Sequence, residues 1–399
     1  MNETSQNLCQ TIETFIQTAQ FDALLDTSKL ALADARSRND ESTEVMSLLG
    51  LADGHKYLGK FKEARLLVNG ALALANQLND SELIIVSLLS SGDIYLRTAF
   101  QSYEADRDFR QALTLAHDTD KPRFVADALN GISSALEQMN EAVRAQRFAR
   151  KAFDVARDNE YRHGIARALS LLGSTATKTK PEKAMQAFED AIAIARQDNF
   201  RLLELRLLGL LGQLLAQQDR YAEDGQRMLE KMLSMAKDFR SIPDEFTAIY
   251  TLGKMYEEKD LLDQAAQYYG LMLEQAQKWR TKSYEGYAFF TLGLLAYNRK
   301  HYDDAINNLD QAIVIARESK NPFQEAQIEQ VLGATYLANN NYDVALDHYM
   351  AARSTYDSLD NTYMASQLLQ QIIIVYFQRF VSNVLKWVGL KQDNSEISD

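Results

Sequence analysis

A chain of 399 residues allows two or three ordinary domains or one long repeat array. Its 46% hydrophobic and 25% charged residues exclude a disordered chain, and with only four prolines and 17 glycines it has little room for long loops, which favours helix. The formal charge of -12 opposes a phosphate backbone and argues against nucleic acid, while a single cysteine, Cys9, excludes an intramolecular disulfide and a cysteine-held zinc.

The start, Met1 to Ser5, lacks the basic and apolar stretches of a signal peptide, and no uninterrupted apolar run of about 18 residues occurs. A cytoplasmic location is expected.

From there the chain repeats. Small residues recur at Ala31, Ala71, Ala112, Ala152, Ala191, Ala312 and Ala352, with Lys231 and Met272 completing the series at steps of 39 to 41 residues. Seven residues before each stands another marker: Leu24, Ala64, Ala105, Ala145, Ala184, Asp224, Ala265, Ala305 and Ala345. Between markers the apolar steps are three and four, as in Ile306, Leu309, Ile313 and Ala316, so each repeat reads as two helices. Polar turns separate them, among them Gly59-Lys60, Asn79-Asp80, Lys300-His301, Lys320-Asn321-Pro322 and Asn339-Asn340-Asn341. Pro122, Pro181, Pro243 and Pro322 fall at helix starts, where a missing N–H costs nothing. An alanine at the crossing of two antiparallel helices lets their backbones approach. The sixth repeat departs most: Asp224, Gly225 and Lys231 replace small apolar residues, so a looser pair or a local bend is expected there.

Nine repeats fill residues 5–358. A C-terminal helix at 362–390 follows. Phe377, Phe380, Val384 and Trp387 make it apolar over more than half its circumference, which leaves three roles open: a cap, a dimer or partner interface, and a membrane-surface contact. An acidic tail, 391–399, is expected to be disordered.

Leu332-Gly333-Ala334-Thr335-Tyr336, with Tyr342, Ala345, Tyr349 and Ala352, carries a family pattern. It resembles the tetratricopeptide repeat, stretched to about 40 residues as in the long-repeat subclass. The resemblance covers roughly nine-tenths of the chain. It implies an all-α fold: a right-handed α-solenoid of nine antiparallel helix pairs with a C-terminal capping helix. It also implies a concave groove lined by first helices, where a peptide or partner protein binds.

Transferring that geometry places Arg167, Ser170, Ser174, Arg206 and Gln213 on the groove in repeats five and six. Tyr250, Lys254, Tyr287, Phe290 and Tyr297 follow in repeats seven and eight. The first set offers donors to an acidic ligand; the second offers amphipathic anchors. Each has a plainer role open to it. The arginines recur at 39-residue spacing, as in Arg157/Arg196 and Arg162/Arg201, and suit a surface ladder with Asp158, Glu160, Asp198 and Glu204. The aromatics suit packing between helices. The Lys/Asn clamp of chaperone-binding relatives has no match.

Chemistry finds no foothold. The five histidines are scattered without metal-ligand spacing, and Gly50 to Gly59 lacks the glycine spacing and following hydroxyl of a phosphate loop. No metal and no cofactor is expected, and no enzymatic activity. The expected function is an interaction scaffold or adaptor, with homo-oligomerisation open through the C-terminal helix. The alternative is a peptide-sensing regulator resembling the bacterial pheromone receptors.

Overall fold

The structure, a computed structural model, describes residues 1–98, 101–359 and 361–387. Residues 388–390 of the expected C-terminal helix and the tail 391–399 lie outside the described residues. Helix occupies 86% of the described residues, far above the third usual in globular domains, and no strand occurs among them.

The helices follow one another in pairs. They run α1 (Glu3–Gln17) with α2 (Phe21–Arg38), α3 (Glu41–Tyr57) with α4 (Phe61–Leu78), and α5 (Ser81–Leu96) with α6 (Ser102–Asp118). Next come α7 (Pro122–Gln138) with α8 (Ala142–Asp158), α9 (Arg162–Ala176) with α10 (Pro181–Gln197), and α11 (Arg201–Ala216) with α12 (Ala222–Phe239). Then follow α13 (Ile242–Glu258), α14 (Leu262–Lys278), α15 (Lys282–Asn298) with α16 (Tyr302–Glu318), and α17 (Pro322–Ala338) with α18 (Tyr342–Ser358). The last is α19 (Thr362–Trp387). This is an all-α solenoid. It divides into two compact units, Met1–Met255 and Tyr256–Asp399, each with its own core.

The turns explain the register. Positive φ recurs near every twentieth residue, at Asn39, Gly59, Asn79, Asp120, Asn140, Asn199, Asp260, Lys300 and Asn340 among others. Most are Gly, Asn or Asp, which tolerate the left-handed region. At Gly59 the Lys60 amide donates to the His55 carbonyl at 2.9 Å and the Gly59 amide to that of Lys56 at 3.1 Å, ending α3 sharply. Asn340 ends α17 the same way, with the Asn341 amide donating to Tyr336 at 2.8 Å.

Packing explains the markers. Ala64, Ala105, Ala145, Ala184, Ala265, Ala305 and Ala345 are all fully buried. Four residues further along several second helices a larger side chain plugs into a glycine of a first helix. A Cβ at Gly92 or Gly131 would lie 2.6 or 2.4 Å from the Phe109 ring, one at Gly173 2.7 Å from Phe188, and one at Gly293 2.7 Å from Leu309. The glycine of the Leu-Gly signature is thus the socket for the second helix's main core residue.

The sixth pair corrects an expectation. It is not looser. A 3-10 turn, Asp219–Tyr221, adds one residue and moves the markers to Gly225 and Met232, both buried, while Lys231 is exposed. A Cβ on Gly225 would lie 2.4 Å from the Ala216 amide nitrogen and 2.6 Å from the Gly212 carbonyl, so this pair meets backbone to backbone.

Unit 1 also departs from nearest-neighbour stacking. α1 packs against α2 and α3 and also against α11. Leu8 and Ile12 of α1 share one core cluster with Leu202, and Arg240 reaches Asp22 at 3.0 Å.

Ala305→Glu places an uncompensated charge at the α15–α16 crossing, with an expected cost of several kcal/mol. Amide hydrogen exchange should accelerate in α15 and α16 and their neighbours α14 and α17. Unchanged protection there would contradict the packing described.

Candidate functional site

Unit 1 holds a half-open cavity of about 260 Å³. Its walls are the inner faces of α1, α3, α5, α7, α9 and α11. Residues three, four and seven apart bring one stripe of each helix inward: Met46, Leu49, Asp53 and Lys56 on α3; Val86, Leu89, Ser90 and Asp93 on α5; Arg123 and Asp127 on α7; His163 and Arg167 on α9; Leu203 and Arg206 on α11. α1 lies across these with Cys9, Ile12, Glu13 and Ile16.

The polar wall has two halves. In one, Lys56, 3% exposed, holds Asp53 at 2.5 Å and Asp93 at 2.6 Å. Its neighbour Tyr57 is stacked on Phe21 at 4.2 Å, and the Arg97 and Arg206 guanidinium carbons stand 5.4 and 5.7 Å from the Tyr57 ring centre. Arg206 donates to Asp244 at 3.3 Å. Burial alone would lower the Lys56 ammonium, but the two aspartates more than offset it and the pKa rises. Asp93 is driven well below the carboxylate range, against its own burial, by Lys56 and Arg97. Burial outweighs Lys56 at Asp53, whose carboxyl is pushed up.

In the other half, Arg123 donates to Glu13 at 2.5 Å and stands 4.9 Å from the Tyr161 ring centre. Tyr161 and Arg167 each donate to Asp127 at 3.2 Å. His163 sits 5.0 Å from Phe200, edge to face. Burial, then Arg167, Arg123 and Arg206, push its pKa down to about 3, so the ring is neutral. Burial raises the Cys9 thiol to about 12, which makes it unreactive.

Two lining atoms keep unused hydrogen-bonding capacity: Arg206 Nη2 and Ser90 Oγ are buried without a protein partner, as is Arg97 Nε beside Tyr57. Among the described residues no cluster of His, Cys, Asp and Glu fits a metal ion.

Of the expected groove residues, the structure brings Arg167 and Arg206 together in this cavity. Both carry ion pairs, but with Asp127 and Asp244 rather than the ladder acids. The surface ladder itself exists further out, in Arg157 with Asp158, Arg162 with Asp198 and Arg196 with Glu204. Ser170 and Ser174 are half-buried outside the cavity, Ser174 donating to Glu137, and Gln213 is exposed. Tyr250 and Lys254, on α13, both have partners. In unit 2, Tyr287 is 38% exposed, Phe290 packs on the Leu309–Leu332 cluster, and the Tyr297 ring lies 6.2 Å from Tyr302. Gly50 and Gly54 are packing sockets: a Cβ would lie 2.2 Å from Ser28 Oγ and 2.4 Å from Leu25 Cδ2.

Sequence reading missed Asp53, Lys56, Asp93, Arg123 and Asp127. A signal was present, since Asp53 and Asp93, like Arg123 and His163, are one repeat apart on the inner stripe.

The comparisons with known proteins agree on the repeat. The family model described as Anaphase-promoting complex subunit 5, a tetratricopeptide-like repeat family, matches residues 9–91, 136–203 and 253–324, more than half of the chain. The chain belongs to this repeat family. A search of curated proteins returns no match. Among solved structures, a Rap protein complexed with Competence and Sporulation Factor superposes with a TM-score of 0.52 at 13% identity, covering 84% of this chain and 98% of that one. A Signal Transduction ATPase with Numerous Domains carrying a tetratricopeptide repeat sensor, from Pyrococcus horikoshii, gives a TM-score of 0.54 at 13% identity, covering 97% of this chain and 65% of that one. At these identities the likeness is one of fold, and each family-model match spans about two repeats of it.

Lys56→Met leaves two carboxylates facing each other without their cation. The expected cost is about 3–5 kcal/mol, seen as a lower urea midpoint for unit 1. Adding Asp53→Asn and Asp93→Asn should recover most of it.

His163 sets a pH dependence. Its folded pKa, about 3, lies below the ordinary 6.5, so between those values the unfolded chain binds a proton that the fold refuses. Stability conferred by the neutral ring is complete above pH 6.5 and is lost as pH falls towards 3, by at most about 1.4 kcal/mol per pH unit. Thermal melts across this range should show that slope, and His163→Gln should reduce it.

Proposed function

We propose that the chain is a binding protein, without chemistry of its own, that takes an acidic side chain or terminal carboxylate of a peptide or partner segment into the unit 1 cavity. The observation that carries this is the pair of buried donors without partners, Arg206 Nη2 and Ser90 Oγ, in a wall otherwise built of matched ion pairs. A carboxylate entering the cavity supplies the acceptor that both lack. At about 260 Å³ the cavity suits an amino-acid-sized group. In an adaptor, that group anchors a longer partner whose remainder lies outside.

A second reading, a peptide-sensing regulator, draws on the same cavity. The likeness in fold to a Rap protein bound to Competence and Sporulation Factor is compatible with it.

Selection of a random peptide library on the full chain should enrich Asp, Glu or a free carboxyl terminus. Arg206→Lys keeps the charge beside Asp244 but removes the planar second nitrogen. It should weaken the selected peptides about tenfold or more, the value of a charged hydrogen bond, with the melting temperature nearly unchanged. No enrichment, or equal affinity in Arg206→Lys, would overturn the assignment.

A further inference from the structure

α19 is unlike the other helices. It has 26 residues where they have 15 to 18. One side packs on α18 through Ala365, Leu368, Ile372 and Val375, pinned by Arg379 on Asp343 at 2.8 Å. The other side presents Ile373, Phe377, Phe380, Val384 and Trp387, which are 59%, 66%, 65%, 39% and 88% exposed. By length and composition it is the one helix among the described residues apolar enough to cross a membrane, although only 22% of its apolar window is buried.

We propose that this face is the two-fold interface of a homodimer, in which α19 of one chain packs on α19 of a second copy. Three observations select that occupant. The exposed residues step by four, three, four and three, the spacing of a seam that meets another helix. Leu369, Ile374, Tyr376 and Val381 border it, and with only Arg379 and Lys386 as cations in a chain of formal charge -12 the helix lacks the basic cluster that holds an interfacial helix on an anionic bilayer.

Area is the second. Taking about 200 Å² for a fully buried aromatic ring side chain, Phe377, Phe380 and Trp387 together offer roughly 440 Å². The aliphatic members of the seam, with Tyr376 and Ile374 beside it, bring one copy towards the roughly 800 Å² per partner of a stable interface.

Charge is the third. α19 carries no acid and its free cation is Lys386. Lys386 lies on the far side of the helix from the seam, so no charge enters the contact when two copies meet with Phe380 against Phe380. The same patch then serves both copies, as a closed two-fold contact requires.

Sedimentation velocity of the full chain at tens of micromolar should give a dimer. Phe380→Glu should give a monomer with unchanged helix content by circular dichroism. Should that variant lose helix, Phe380→Ala gives the answer, with a dissociation constant raised at least tenfold. Cys9→Ser/Phe380→Cys should oxidise to a covalent dimer, as a two-fold seam centred there permits. A monomeric wild type, a dimer that survives Phe377→Glu/Phe380→Glu, or a wild-type monomer that binds anionic phospholipid vesicles through α19 would each overturn the proposal.

Discussion

Two antiparallel helices joined by a three-residue turn cross so closely that each crossing has room for one sizeable side chain. The repeat is built around that limit. Phe109, Phe188, Leu309 and Tyr349 fill the space, and the glycine opposite each is where the first helix gives way. Alanines four residues earlier let the backbones meet. Because the second helix supplies the bulk of this core, the first helix has a face to spare. That face lines the cavity in unit 1.

Charges on such a face cannot be left alone. Lys56 between Asp53 and Asp93, and Asp127 between Arg167 and Tyr161, neutralise one another across adjacent repeats. Lys56–Asp93 and Arg167–Asp127 each bridge two first helices and so fix their spacing as well as their charge. Buried pairs of this kind contribute little net stability against an apolar alternative, but losing one member is expensive. Where pairing is incomplete, as at Arg206 Nη2, the wall retains a buried donor without a partner.

Much of the fold was legible because its determinants are local. A 40-residue period, turn residues that accept positive φ and prolines at helix starts all act within a few residues of where they stand. The sixth repeat shows the limit: Asp224 and Lys231 looked out of place because a one-residue shift in the preceding turn had moved the markers to Gly225 and Met232. The site was less legible. Arg167 and Arg206 were found by face, yet their partners Asp127 and Asp244 lie some 40 positions away on neighbouring helices, and no local pattern announces such a pair. Ser170, Ser174 and Gln213 were assigned to the same face and lie outside the cavity, since helical phase alone does not fix how far each turn is from a neighbour.

The docking of α1 has a kinetic side. In an open stack the mean sequence separation of contacts stays small, and folding spreads from any nucleus at little entropic cost. Unit 1 adds contacts such as Glu13 with Arg123 and Asp22 with Arg240, whose partners are held apart by most of the intervening chain. Their loop-closure entropy is small only after the intervening repeats are in place. α1 therefore docks late, and it ties repeats that would otherwise open one by one into a more cooperative block.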